Sequence, residues 1–137
     1  MRGTAVATAT LALSLVMSAA SFAQYRPYTP RNVKTRKIGG TLVFVSAEDM
    51  TLYTFDRDSS GVSTCYGQCT KLWAPLPARS EHNLGSWSMI LRNDGSKQWA
   101  YRGKPVYTFA QDQAPGDAKG DNSGPKGTHL WHVIKVQ

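Results

Sequence analysis

The chain writes one chemical motif twice. Tyr53, Phe55 and Asp58 recur as Tyr107, Phe109 and Asp112, so Tyr-Thr-Phe-x-x-Asp occurs at two places 54 residues apart. In a strand, residues two apart share a face, which sets each Tyr beside its Phe and turns Thr54 and Thr108 the other way. The Asp lies three positions past the Phe, where the chain leaves the strand. A carboxylate there accepts backbone N–H groups and shapes the loop. It also suits a Tyr hydroxyl, from its own repeat or the partner repeat, because a buried Tyr needs such a partner. Two readings share these residues. One is a core aromatic pair with a capping acid and no chemistry. The other is two equivalent ligand-binding loops, or an enzyme whose carboxylate site lies at Asp58 and Asp112.

Cys65 and Cys69 are the only cysteines. An exported protein with one pair is expected to oxidise it, and Gly67, midway along Cys-Tyr-Gly-Gln-Cys, lets so short a loop bend. A loop of about five residues contributes only ~2 kcal/mol by chain entropy, so the bond would pin one loop rather than hold up the fold. The competing reading is a periplasmic metal or redox module. Cys65 or Cys69 with a distant His, and Met50 or Met89 as a soft ligand, is a donor set for copper. His129 and His132 are three apart, which puts both rings on one side of a helix. Val133, Ile134 and Val136 favour a strand instead, where that spacing sends them to opposite faces. The spacing therefore demands no metal and no cofactor. Asp112, Asp117 and Asp121 sit among small residues in a stretch that matches neither an EF-hand nor a Gly-Asp repeat, so it reads as a solvated loop before a calcium site. The chain holds no phosphate-binding Gly-Lys-Ser/Thr motif and no Gly-x-Ser-x-Gly elbow.

The elements that must position these residues are short strands. Residues 41–45, 51–55, 86–92, 97–102, 105–110 and 128–136 are rich in β-branched and aromatic side chains and are separated by turn signals such as Asn-Asp-Gly-Ser at 93–96. Residues 86–92 alternate, with Trp87, Met89 and Leu91 on one face. Residues 97–102 alternate again and place Trp99 with Tyr101. No segment sustains a 3.6-residue period, although 67–73 suits one helical turn stopped by Pro75. Each motif is followed by a Leu-Trp pair, at Trp73 and Trp131, 20 and 24 residues past the Tyr. The expected fold is all-β with a minor helical turn: one small domain over 38–137 with antiparallel sheets, barrel-like, built from two related β units (about 38–80 and 86–137). Their aromatic faces are expected to meet around a pseudo-two-fold axis.

The first residues and the charge speak to location. Arg2, an apolar run, and small residues at Ser21 and Ala23 read as a signal peptide over 1–23, with Ala20 as the second cleavage choice. No later segment is long and apolar enough to span a membrane, so the mature protein is expected to be exported, to the periplasm or beyond. Residues 24–37 carry Arg26, Arg31, Lys34, Arg36 and Lys37 and no acid, whereas from Ile38 onward ten Lys/Arg face nine Asp/Glu. That segment reads as an extended, mobile basic arm, solvated or in contact with an anionic envelope polymer or lipid head groups. Export argues against nucleic acid as its partner.

At residues 52–58, 63–76, 94–122 and 130–131 the chain resembles a family of bacterial secreted proteins and lipoproteins defined by a repeated Tyr-x-(Phe/Trp/Tyr)-x-x-Asp motif. The matching positions are Tyr53, Phe55, Asp58, Tyr107, Phe109 and Asp112, with Cys65, Gly67, Cys69 and Trp73 matching a Cys-x-Gly-x-Cys element and its Trp. The chain departs from that family in lacking a lipid-attachment cysteine. The resemblance implies export and a duplicated domain, and supplies no substrate or catalytic residue. The resulting expectation is a non-enzymatic, envelope-associated binding or structural module.

Overall fold

The computed structural model describes residues 3–4, 28–79 and 82–137. The expected signal peptide lies almost wholly outside the described residues, as do residues 24–27. Strands β1 (Val33–Ile38) and β2 (Thr41–Ser46) pair along their whole length as an antiparallel hairpin. Gly39 and Gly40 turn it with φ of 54° and 82°, left-handed values that a tight two-residue turn needs. Residues 33–37 are therefore paired strand and not part of a mobile arm. The reason is local. Val33 is buried, while Lys34 and Arg36 both reach Asp49, at 3.1 and 3.6 Å, so the cations sit on the open side of an outer strand.

After this hairpin come β3 (Tyr53–Phe55), one helical turn α1 (Gln68–Leu72) and β4 (Trp73–Pro75). The second half repeats the plan: β5 (Trp87–Leu91) and β6 (Lys97–Tyr101) pair as a hairpin, with the two-residue β7 (Lys104–Pro105) beside β6. Then follow β8 (Tyr107–Phe109) and β9 (Trp131–Val133). All pairings are antiparallel.

The four short strands make one sheet in the order β4-β8-β3-β9. That order reads the same from either end if the halves are exchanged. At its centre Tyr53 pairs with Tyr107; outside, Trp73 lies opposite Phe109 and Trp131 opposite Phe55. Each half thus gives its Leu-Trp strand to the other half's motif strand. The backbone bonds repeat too. Leu76 N–H donates to the Val106 carbonyl (2.9 Å) as Ile134 N–H does to that of Leu52 (3.0 Å). Trp99 N–H donates to Leu76 (2.9 Å) as Phe44 N–H does to Ile134 (3.0 Å).

Two apolar clusters lie against this sheet. Leu52 and Val106 join Phe44, Trp87, Trp99, Leu76 and Ile134 between the hairpins, while Tyr53 and Tyr107 join Phe55, Trp73 and Trp131 on the other side. In β5 the expected face holds for Trp87 but not for Leu91, which is 69% exposed while Ile90 and Arg92 are buried. The far face of β5–β6 is not solvent: the loop at 63–66 covers it, with Arg92 over the Tyr66 ring at 4.4 Å.

Candidate functional site

The motif side chains converge at the centre of the four-stranded sheet. Trp73 and Trp131 stack face to face, with centroids 3.7 Å apart and planes 3° from parallel. Phe109 continues the stack beyond Trp73, and Phe55 beyond Trp131, each at 4.2 Å. Tyr53 meets Trp73 edge-on at 5.3 Å, and Tyr107 meets Trp131 edge-on at 5.1 Å. Geometry of this kind is worth ~0.5–1.5 kcal/mol per pair beyond burial. Gly120 closes one side. A Cβ there would stand 2.5 Å from the Trp73 ring, so only glycine lets the backbone pass.

The hydroxyls cross between repeats. Tyr53 donates to Asp112 Oδ2 at 2.5 Å, and Tyr107 donates to Asp58 Oδ2 at 2.6 Å. The second oxygen of each acid ties its own loop: Asp58 Oδ1 accepts the Thr64 N–H and hydroxyl at 2.7 and 2.8 Å, and Asp112 Oδ1 accepts the Lys119 N–H at 2.9 Å. Both acids are buried, at 9% and 6% exposure. Burial first, and the facing carboxylate second, push the ionisation of Tyr53 and of Tyr107 far above the usual tyrosine range. Both hydroxyls therefore stay protonated as donors, and both oxygens of each carboxylate accept hydrogen bonds within the molecule. Chemically, the cluster is a brace.

Residues that the sequence reading passed over complete one half of it. Arg92, almost fully buried, donates to Ser63 Oγ (2.8 Å), Gln98 Oε1 (2.7 Å) and the Cys65 carbonyl (2.6 Å), and Ser63 in turn contacts the Tyr107 hydroxyl at 2.7 Å. The symmetry-related positions in the first half are Ile38 and Val43, so the two braces differ here. A polar residue ending an alternating strand gave no sign of this. The one signal available was Gln98, a polar residue sharing a strand face with Ala100.

Cys65 and Cys69 form a disulfide. Bonded to each other, they offer no thiolate to a metal, which removes the basis of the copper reading. His129 Nδ1 lies 2.8 Å from the Asn122 carbonyl and His132 Nε2 lies 2.7 Å from Asp56 Oδ2, so the two rings serve separate partners. Among the described residues no group of three or more His, Cys, Asp or Glu is arranged to hold a metal ion. The acidic loop is likewise engaged. Asp117 accepts the N–H groups of Gln113 and Ala114 (2.9 and 3.1 Å), which hold its carboxyl below the usual range, and Asp121 accepts that of Val133 (3.0 Å).

The same two-part layout is what a family model described as "Secreted repeat of unknown function" matches, at residues 32–76 and 88–135. The chain belongs to that family. The matched boundaries coincide with the two structural halves, each running from the first hairpin strand to the strand that carries the Leu-Trp tryptophan. Membership agrees with the resemblance read from the motif and with export. No curated protein and no solved structure matches the chain. Among the described residues no helix is long and apolar enough to cross a membrane.

Proposed function

We propose that the protein is a non-enzymatic exported module, working in the periplasm or after secretion as a rigid, cation-rich body that binds an anionic component of the cell envelope. The observation that supports this reading is the closure of the motif. Asp58 and Asp112 are buried and their oxygens are engaged inside the molecule, so the groups best suited to catalysis are committed to joining the halves. Function is then left to the surface, and the surface is positive. Without Arg2 of the expected signal peptide, 15 Lys/Arg face nine Asp/Glu, and five of those cations lie in residues 24–37. Among the described residues burial withdraws one cation, Arg92, and two acids, Asp58 and Asp112, which raises the positive excess outside.

Such a surface attracts polyanions and anionic lipid head groups over about one Debye length, roughly 10 Å at 0.1 M salt. The test is co-sedimentation of the mature protein with phosphatidylglycerol-containing vesicles, with neutral vesicles, and with a soluble polyphosphate. Binding to the anionic partners that fades between roughly 0.05 and 0.5 M salt is expected. Partner capture that ignores salt, or a small molecule that protects the loops at 56–64 and 110–119 from hydrogen exchange, contradicts the reading.

A further inference from the structure

The internal symmetry places two hollows at equivalent points of the surface, where the chain leaves β4 in one half and β9 in the other. The rotation that brings Leu76 onto Ile134 carries Pro77 onto Lys135 and Arg79 onto Gln137, and carries Ala47 onto Arg102. The first hollow, about 870 Å³, has Glu48 on its wall beside Arg31 and Arg79. The second, about 290 Å³, is lined by Arg102, Lys104 and Lys135 and has no Asp or Glu among its lining residues. The halves have diverged, and the second has collected positive charge.

We propose that this second hollow is a binding site for a phosphate monoester, the group that terminates a sugar phosphate or a phosphorylated envelope polymer or lipid. The inference rests on the anionic-partner reading above and gives it a place. Three arguments carry it. First, the three cations converge on one concavity, and among the described residues none forms an ion pair; elsewhere Lys34, Arg36 and Lys119 each have an aspartate. Like charges gathered around one hollow repel one another, and a bound dianion relieves that repulsion. Second, their backbones are fixed before any ligand arrives. Arg102 N–H donates to the Ser86 carbonyl, and the Gly103 carbonyl accepts the Gly61 N–H, both at 2.7 Å. Gly103, at φ 81°, sits against Ser60, whose Oγ would lie 2.6 Å from a Cβ there. Lys104 pairs with Tyr101 in the sheet, and Lys135 bridges to Val43. The Arg102 guanidinium donates to the Gln137 carboxamide and lies 5.4 Å from the Tyr101 ring centroid. Third, the size is that of one head group, and Thr54, Val133 and Ile134 are part of the lining. A phosphate monoester brings nearly two charges and three acceptor oxygens to that set.

The experiment is calorimetric titration of the full mature chain with inorganic phosphate and glucose 6-phosphate. Alongside it runs co-sedimentation with vesicles of phosphatidic acid in phosphatidylcholine, and with phosphatidylglycerol vesicles, whose phosphate is a diester. Lys104→Gln/Lys135→Gln empties the hollow of two cations. Lys71→Gln/Lys126→Gln removes the same charge from exposed positions elsewhere. Wild type and the Lys71/Lys126 variant are expected to bind the monoester probes alike. The Lys104/Lys135 variant should bind them about tenfold or more weakly with an unchanged melting temperature. Tighter binding of glucose 6-phosphate than of phosphatidic acid vesicles assigns the site to a soluble ligand, and the reverse order to a membrane one. Equal weakening by the two double variants overturns the site while leaving a diffuse anionic-surface role standing. Failure of wild type to bind any monoester probe at millimolar concentration also overturns it. If phosphatidylglycerol vesicles are not bound either, the anionic-partner reading falls with it.

Discussion

Tyr53 and Tyr107 are held neutral because burial and a facing carboxylate both penalise their ionised forms. The consequence for stability has a definite sign. An unfolded tyrosine ionises near pH 10. Above that value the unfolded chain releases protons that the fold retains, so stability is fully present below about pH 10 and falls as pH rises beyond it. The slope is about 1.4 kcal/mol per pH unit for each of the two residues. Ultraviolet titration should find at least two of the six tyrosines un-ionised until the fold is lost at alkaline pH. Tyr53→Phe and Tyr107→Phe should each flatten that decline, and each should cost about 1–3 kcal/mol at neutral pH because a buried carboxylate oxygen loses its donor. The sequence made the Tyr–Asp pairing legible, since a buried Tyr needs a partner and an acid follows each motif. It left open whose acid each Tyr takes. That choice is fixed by the register of Tyr53 opposite Tyr107, which no local pattern encodes. Arg92 was illegible for a similar reason: what covers it comes from a loop about 27 residues earlier in the chain.

Short elements divide the work of keeping the stack in place. The disulfide closes a loop that ends in the first turn of α1, and α1 leads directly into Trp73. Cys65→Ser/Cys69→Ser should lower stability by about 2 kcal/mol without unfolding the protein, read as a shift of the urea midpoint at constant slope. Gly120→Ala should cost as much or more, about 1–3 kcal/mol, because the added methyl has the Trp73 and Phe109 rings in its way. Near-ultraviolet circular dichroism of the tryptophans should change in that variant. Strand positions were readable from alternation and turn residues, and the helical turn over 68–72 fell where Pro75 allowed it. Faces were less readable. β5 and β6 are covered on both sides at one end, so Gln98 is fully buried and Leu91 is not, which alternation assigns to a sheet with one wet face only. The cations of β1 misled in the opposite way, because charge on an outer strand resembles charge on a linker until its pairing partner is known.

At the scale of the whole molecule, the two repeats are interlocked rather than adjacent. Neither half contains both a motif strand and the Leu-Trp strand that pairs with it, since β4 lies on β8 and β9 on β3. Fragments 28–80 and 81–137 should therefore be unfolded separately. Mixed together they should recover the sheet signal and the dispersed tryptophan resonances of the intact chain. Cooperative unfolding of either fragment alone would contradict this. The duplication itself was plain in the sequence, from the motif, the Leu-Trp marker and their similar spacing. The exchange of strands was not, because a repeat shows that two units exist and not which strands they trade. That interlocking commits the two acids of the motif to joining the halves, and it is why the proposed function is assigned to surface cations and not to those acids.

The most direct measurement of this account is a pair of double-mutant cycles on folding stability. Tyr53→Phe combined with Asp112→Asn should show a coupling of about 1–3 kcal/mol, whereas Tyr53→Phe with Asp58→Asn, in the same repeat, should be additive within about 0.5 kcal/mol. Coupling inside a repeat together with additivity between repeats would contradict it.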